Sequence, residues 1–141
     1  NNIIINGKKI KLIDESYNSN PLSLKFALSK FDKLKSSSKK IVLLGDMLEL
    51  GKFSKKLHIQ ASRMINNTNI NKVYVYGKNI IYAFNKIRTQ KRGKILSSKK
   101  DILNFLRNDI KNGEYLMIKG SNSTGLNSIA KKLKLGKLNA I

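Results

Sequence analysis

The chain has 141 residues and a formal charge of +21, with 40% hydrophobic residues, one proline and no cysteine. That length suits one domain with one core, and the apolar content argues against a disordered chain. Lack of cysteine removes disulfides, thiol nucleophiles and thiolate-bound zinc, while apolar runs such as Ile3 to Ile5 fall far short of the ~20 residues a transmembrane helix needs.

In chain order, Asn6-Gly7 predicts a two-residue hairpin joining strands at Ile3 to Ile5 and Lys8 to Ile13. The second strand runs into Asp14-Glu15-Ser16-Tyr17-Asn18-Ser19. Asn20 then suits a helix N-cap and Pro21 the first helical position, with Leu24, Ala27, Leu28, Phe31 and Leu34 at helical spacing. Ile41 to Leu44 is a continuous apolar run, as expected of a strand buried on both faces, and a loop from Gly45 to Phe53 follows. Ser54 caps the next predicted helix, whose inner face is Leu57, Ala61, Met64 and Ile65. Val73 to Tyr76 predicts a strand ending at Gly77, and Ile80, Ile81, Phe84 and Ile87 a helix.

Lys94 to Leu96 is a weak strand. Ser98 and Asp101 resemble a capping box for a helix carrying Ile102, Leu106 and Ile110, which stops at Asn112-Gly113. Tyr115 to Ile118 is the last strand, and Leu126, Ile129, Ala130 and Leu133 mark the last helix, closing at Gly136. Strands alternating with helices through short loops predict an α/β fold, a mostly parallel sheet with helices on both faces and an N-terminal hairpin. Residues 1–141 are read as one domain. The chain opens on Asn1-Asn2 without methionine or a secretory pattern, and is read as part of a longer protein.

The basic charge raises a nucleic-acid module as one function class, since a basic face releases counterions from phosphate backbones. The residue types favour a different origin. Of the 29 basic residues 25 are Lys and 4 are Arg, whereas phosphate and base-edge recognition favour arginine's fork. Abundant Lys, Asn and Ile match an A+T-rich coding sequence, and the lysines are spread over every predicted helix, so nucleic acid is not the expected partner.

Against that background the eight acids are informative, because four of them, Asp14, Glu15, Asp46 and Glu49, sit in two short segments after apolar runs. Ligands of open α/β sheets bind outside the carboxyl ends of strands. That rule selects three loops, Asp14 to Asn20, Gly45 to Gly51 and Lys119 to Gly125. Asp14 and Glu15 fit either hydroxyl recognition or a helix N-terminus that favours negative charge. Tyr17 fits base stacking or packing, and Asn18 and Asn20 fit polar recognition or capping. Asp46 and Glu49 fit a binding role or the ordering of their own loop. His58, the only histidine, lacks the partners for a metal site or a nucleophilic triad, and is expected half-buried and bonded to the neighbouring loop. The segment Lys119-Gly120-Ser121-Asn122-Ser123-Thr124-Gly125 offers an anion cradle at a helix start, but the chain has no P-loop pattern.

Three segments in this order, IDESYNSNP (Ile13 to Pro21), VLLGDMLELG (Val42 to Gly51) with Leu57-His58 after it, and IKGSNSTGL (Ile118 to Leu126), resemble the C-terminal domain of the Mur ligases. The likeness runs from the hairpin to the last helix. It is strongest to the branch that joins D-Ala-D-Ala to UDP-MurNAc-tripeptide in peptidoglycan synthesis, since the branch adding the third amino acid usually carries KGHE where this chain has KGSN. The resemblance implies a Rossmann-like third domain of a bacterial cytoplasmic enzyme that uses ATP and Mg2+ to activate a carboxylate as an acyl phosphate. It places the P-loop, the magnesium ligands and the catalytic groups in a central domain, and the UDP site in an N-terminal domain. These two domains, UDP-MurNAc-tripeptide and D-Ala-D-Ala are the implied partners.

By the same resemblance, Glu15 with Asp14 beside it matches the acid that contacts the ribose, a position where many relatives carry Asp. Tyr17, Asn18 and Asn20 would face the nucleotide. Lys119, Gly120 and Ser121 match a loop near the incoming amino-acid substrate, and Asn122 stands where many relatives have an arginine. No metal ligand is implied within this domain.

Overall fold

Asn6 and Gly7 take φ of 48° and 78°, the left-handed pair that a tight hairpin turn requires, in the computed structural model, which describes residues 1–141. The turn folds β1 (Asn2–Ile5) antiparallel onto β2 (Lys8–Glu15), with Ile3 opposite Ile10. The chain then alternates through α1 (Pro21–Asp32), β3 (Lys40–Gly45), α2 (Ser54–Asn66), β4 (Lys72–Tyr76), α3 (Ile81–Phe84), β5 (Arg92–Leu96), α4 (Lys99–Asn104), β6 (Tyr115–Lys119) and α5 (Leu126–Lys134). The sheet order is β1-β2-β6-β3-β4-β5, and every pairing after the first is parallel.

The chain steps from β2 through β3 and β4 to β5 in one direction across the sheet, then returns to lay β6 between β2 and β3. Crossovers of one hand that reverse direction put their helices on opposite faces. The core divides accordingly. Leu24, Phe31, Ala61, Ile65, Ile80 and Ile87 pack with Val42 and Leu44 on one face. Ile102, Phe105, Leu126, Ile129 and Leu133 pack with Ile41 and Leu43 on the other. Central β3 is buried along its whole length, which is why it reads as an unbroken apolar run.

Several local features depart from the sequence pattern, among them the start of α2, where Phe53 and not Ser54 stands at the N-cap and no side chain caps the helix. The buried stripe of α2 is His58, Ala61, Ser62 and Ile65, while Leu57 and Met64 are half-buried at its flanks. Two polar residues can occupy the stripe because both are satisfied there, His58 as described below and Ser62 by donating to the Ile59 carbonyl at 2.6 Å. The segment from Ile80 to Ile87 forms one α-helical turn continued by i→i−3 bonds, such as Ile87 N–H to the Phe84 carbonyl. Arg92 stops it by donating to the carbonyls of Ile87 (2.8 Å) and Asn85 (2.9 Å).

The helix begun at Ser98 widens into a π-helical turn over Phe105–Asp109, and the spacing of four between Ile102, Leu106 and Ile110 fits that wider turn. Lys8 Nζ collects the carbonyls of Leu106, Arg107 and Ile110 at its end, at 2.7–3.0 Å. Asp101 bonds the N–H of Ser97 at 2.8 Å and not that of the N-cap Ser98, so the capping box is displaced by one residue.

Candidate functional site

Strand register decides which loops meet. Glu15 of β2 lies beside Lys119 of β6, and Gly45 of β3 beside Tyr76 of β4. The three loops selected from the sequence therefore leave the sheet side by side. A Cβ on Gly120 would come within 3.2 Å of Gly45 Cα, and one on Gly45 within 2.7 Å of Leu126 Cδ1. Glycine at both positions lets the central loops pass each other under α5.

Ser121 joins all three loops. Its hydroxyl donates to the Ser19 carbonyl at 3.2 Å and accepts from the Leu48 N–H at 2.9 Å, while its own N–H donates to the Asp46 carbonyl at 3.0 Å. Lys119 adds a second tie, donating from Nζ to the Asn18 carbonyl. Lys119 is buried, and burial pushes its ammonium below the ordinary lysine range, with the nearby Glu15 carboxylate opposing that shift.

The middle loop is held from two further directions. Asp46 is buried, and its Oδ1 accepts from the N–H groups of Asn79 (3.0 Å) and Ile80 (2.8 Å) while Oδ2 accepts from Asn79 Nδ2 at 3.3 Å. Its carboxylate thus holds the turn after β4. That turn needs Gly77, whose φ is +143° and whose missing Cβ leaves room for the Asp46 carboxylate. His58 is fully buried, deeper than its sequence context predicts. Its Nδ1 lies 2.7 Å from the Ser54 carbonyl and its Nε2 accepts from the Met47 N–H at 2.9 Å, an arrangement that fixes the neutral tautomer with the proton on Nδ1. Glu49 takes a left-handed φ of 62° at the loop's tip and is exposed.

On the first loop the two acids divide. Asp14 Oδ1 accepts from the N–H of Ser16 at 3.0 Å and from its hydroxyl, and Oδ2 pairs with Lys134 at 2.7 Å. Burial alone would raise the Asp14 carboxyl, but the bonds from Lys134 and Ser16 outweigh it and hold the group below the usual carboxylate range. Glu15 is half-buried at the strand's end and enters neither of the two salt bridges, Lys94–Asp109 and Lys134–Asp14. Tyr17 is 74% exposed. Asn20 is the N-cap of α1, its Oδ1 accepting from Ser23 N–H at 2.9 Å while Ser23 Oγ accepts from Asn20 N–H at 3.0 Å. Asn122 is exposed, and its Oδ1 bonds Asn127 Nδ2.

Two hollows of about 510 Å³ open along this edge. One is lined by residues of all three loops, Asn18 to Asn20, Leu48 to Leu50 and Ser121 to Ser123. The other lies toward β4 and β5, between Tyr76, Lys78, Ile81, Leu96 and Thr124. Together the loops present an aromatic face, a carboxylate and amides, which suits recognition of a sugar or base. No three His, Asp or Glu side chains converge in a way that would hold a metal ion. Sequence reasoning missed three positions that order these loops: Ser19 and Asn79, which act through backbone and amide groups, and Lys134, which stands far from Asp14 in the chain and among other lysines. The Asn20–Ser23 cap of α1 is local and legible, whereas these contacts depend on which loops the sheet brings together.

An α/β domain whose motif loops gather at the carboxyl ends of a mostly parallel sheet is the class that fold and site define. The Mur ligase, glutamate ligase domain family matches residues 3–122, and the chain belongs to that family. It is similar to the UDP-N-acetylmuramoyl-tripeptide–D-alanyl-D-alanine ligase of Bacillus subtilis, at 29% identity over 88% of this chain. It resembles the ligase of the same name from Buchnera aphidicola of Acyrthosiphon pisum at 32% identity over 93% of the chain. The chain spans 28% of the length of each of these relatives. The crystal structure of MurF ligase from Thermotoga maritima in complex with ADP matches all of this chain with 31% of its own, at a TM-score of 0.72 and 21% identity, a likeness of fold. The nucleic-acid reading finds no support in these likenesses.

Proposed function

We propose that the chain is the C-terminal domain of a bacterial cytoplasmic ligase that joins D-Ala-D-Ala to UDP-MurNAc-tripeptide. The observation that carries this reading is the Ser121 junction, which gathers the three family motifs into one edge with Glu15 and Tyr17 on the first loop. The relatives' names supply the substrates, and ADP in the Thermotoga ligase supports ATP as the nucleotide. ATP, held chiefly by the central domain with Mg2+, would supply the phosphoryl group that activates the tripeptide carboxylate. The residues of this chain fit the sugar and base of that nucleotide and offer no metal-binding cluster.

In this role the domain acts as a lid. Glu15 accepts hydrogen bonds from the ribose, Tyr17 packs on the base side, and Asn18 lines the same edge. The Lys119 to Asn122 loop borders the incoming dipeptide, with backbone N–H groups serving where relatives have an arginine. Closure on the central domain keeps water from the activated carboxylate, and rate comes from positioning, not from a base in this domain. The full-length protein is expected to form UDP-MurNAc-pentapeptide with ADP release that needs both UDP-MurNAc-tripeptide and D-Ala-D-Ala. ADP release that ignores either substrate, or absence of the product, overturns the proposal.

A further inference from the structure

Lys134 closes α5, Asp14 lies near the end of β2, and the two are 120 residues apart in the chain. Their ion pair joins the last helix to the first motif loop. Asp14 uses its two oxygens in different directions, Oδ2 toward Lys134 at 2.7 Å and Oδ1 toward the N–H and hydroxyl of Ser16. Ser16 is buried, and the next residue, Tyr17, is the most exposed of the large hydrophobic side chains. A small hollow of about 230 Å³ lies over the pair, and Tyr17 shares its wall with Asp14, Ser16, Lys131 and Lys134. From the other side Lys119 holds the Asn18 carbonyl. The segment carrying Glu15 and Tyr17 is thus clamped between two lysines, one from β6 and one from α5.

We propose that Lys134 is a positioning residue for the nucleotide, setting the Ser16–Tyr17 turn through Asp14 and so the aim of Glu15 and Tyr17. The proposal rests on the reading of Asp14 to Asn20 as the nucleotide-facing edge. It assigns Asp14 to the support of that edge and leaves Glu15 as the carboxylate that meets the ligand. The pair is partly exposed, with side chains 34% and 24% accessible, so its effect on positioning is moderate and sensitive to screening.

The test is steady-state kinetics of the full-length ligase with ATP varied. Lys134→Met is expected to raise the KM for ATP roughly threefold to fivefold with kcat within about twofold, and Lys134→Arg to restore most of the loss. Asp14→Asn is expected to match Lys134→Met, and the double variant to be no worse than either single one, because both remove the same contact. An unchanged KM in Lys134→Met, or a double variant whose losses simply add, overturns the proposal. A merely stabilising role would lower the melting temperature and leave the KM for ATP at its original value, which also overturns it. Tyr17→Ala separates the two levels: if it raises the KM and Lys134→Met does not, the positioning role alone falls, and if neither does, the nucleotide-facing reading falls with it.

Discussion

Replacing Ser121 by alanine leaves the Ser19 carbonyl and the Leu48 N–H without their shared partner in a buried junction. The expected cost is about 1–3 kcal/mol, read from urea unfolding of this domain, and an unchanged midpoint would mean that the loops hold without it. Asp14 makes a pH-dependent contribution whose sign follows from its bonds. Its folded carboxyl is held below the ordinary range, so its stabilisation is complete above about pH 4 and fades as pH falls through the folded value. The stability gap between the natural domain and Asp14→Asn should therefore be constant near neutrality and close in acid; a gap that widens in acid would contradict the ion pair. At this scale the sequence marks Asp14, Glu15, Asp46 and Ser121 as unusual but cannot say which face solvent. That distinction depends on Lys134 and on Asn79, which only the folded chain brings near.

Elements whose order comes from neighbours in sequence were legible in it. The Asn6-Gly7 turn, the Asn20 cap and the buried strand at Ile41 to Leu44 each follow from a local rule, and each forms as expected. Asn20→Ala should remove about 1 kcal/mol by losing the bond to Ser23 N–H, measurable as a lower melting temperature; no change would show that water replaces the cap. Strand β5 starts at Arg92, two residues before the expected Lys94, because Gly93 breaks the apolar pattern. The ring of Tyr74 occupies the space where a Gly93 side chain would stand, its Cε1 2.6 Å from the missing Cβ, and packs against Phe105 with centroids 4.2 Å apart and planes tilted by 40°. Gly93→Ala should therefore destabilise the domain by about 1–3 kcal/mol through overpacking, and a neutral effect would mean that Tyr74 moves freely. The π-helical turn was illegible for a related reason, since its end depends on Lys8 from the hairpin, far away in sequence.

At the scale of the whole molecule, the charge of +21 has a structural use that composition alone hides. With so few acids, lysines find carbonyls: Lys8 at the π-helical turn, Lys40 on Asp32 and Leu34, Lys91 on Thr68 and Ile70, and Lys119 on Asn18. These ammonium groups donate to carbonyls at the ends of helices and turns that would otherwise bond water. The remaining charges repel one another, so added salt should raise the melting temperature between about 0.01 and 0.1 M, where the screening length falls from roughly 30 to 10 Å. A melting temperature that falls over this range would mean that the few ion pairs outweigh the repulsion. Sheet topology then turns local order into a site, because the return of β6 between β2 and β3 sets the Lys119 to Gly125 loop beside the other two.

If this edge faces the nucleotide of a ligase, Glu15 is the carboxylate that meets it. The most direct measurement is the KM for ATP of Glu15→Ala in the full-length enzyme, with the unfolding midpoint of the same variant as the control. The expected result is a KM raised by about fivefold or more, as the loss of a hydrogen bond to a charged group implies, with the midpoint unchanged. An unaltered KM would return Ile13 to Pro21 to the role of a strand-to-helix turn and contradict the claim.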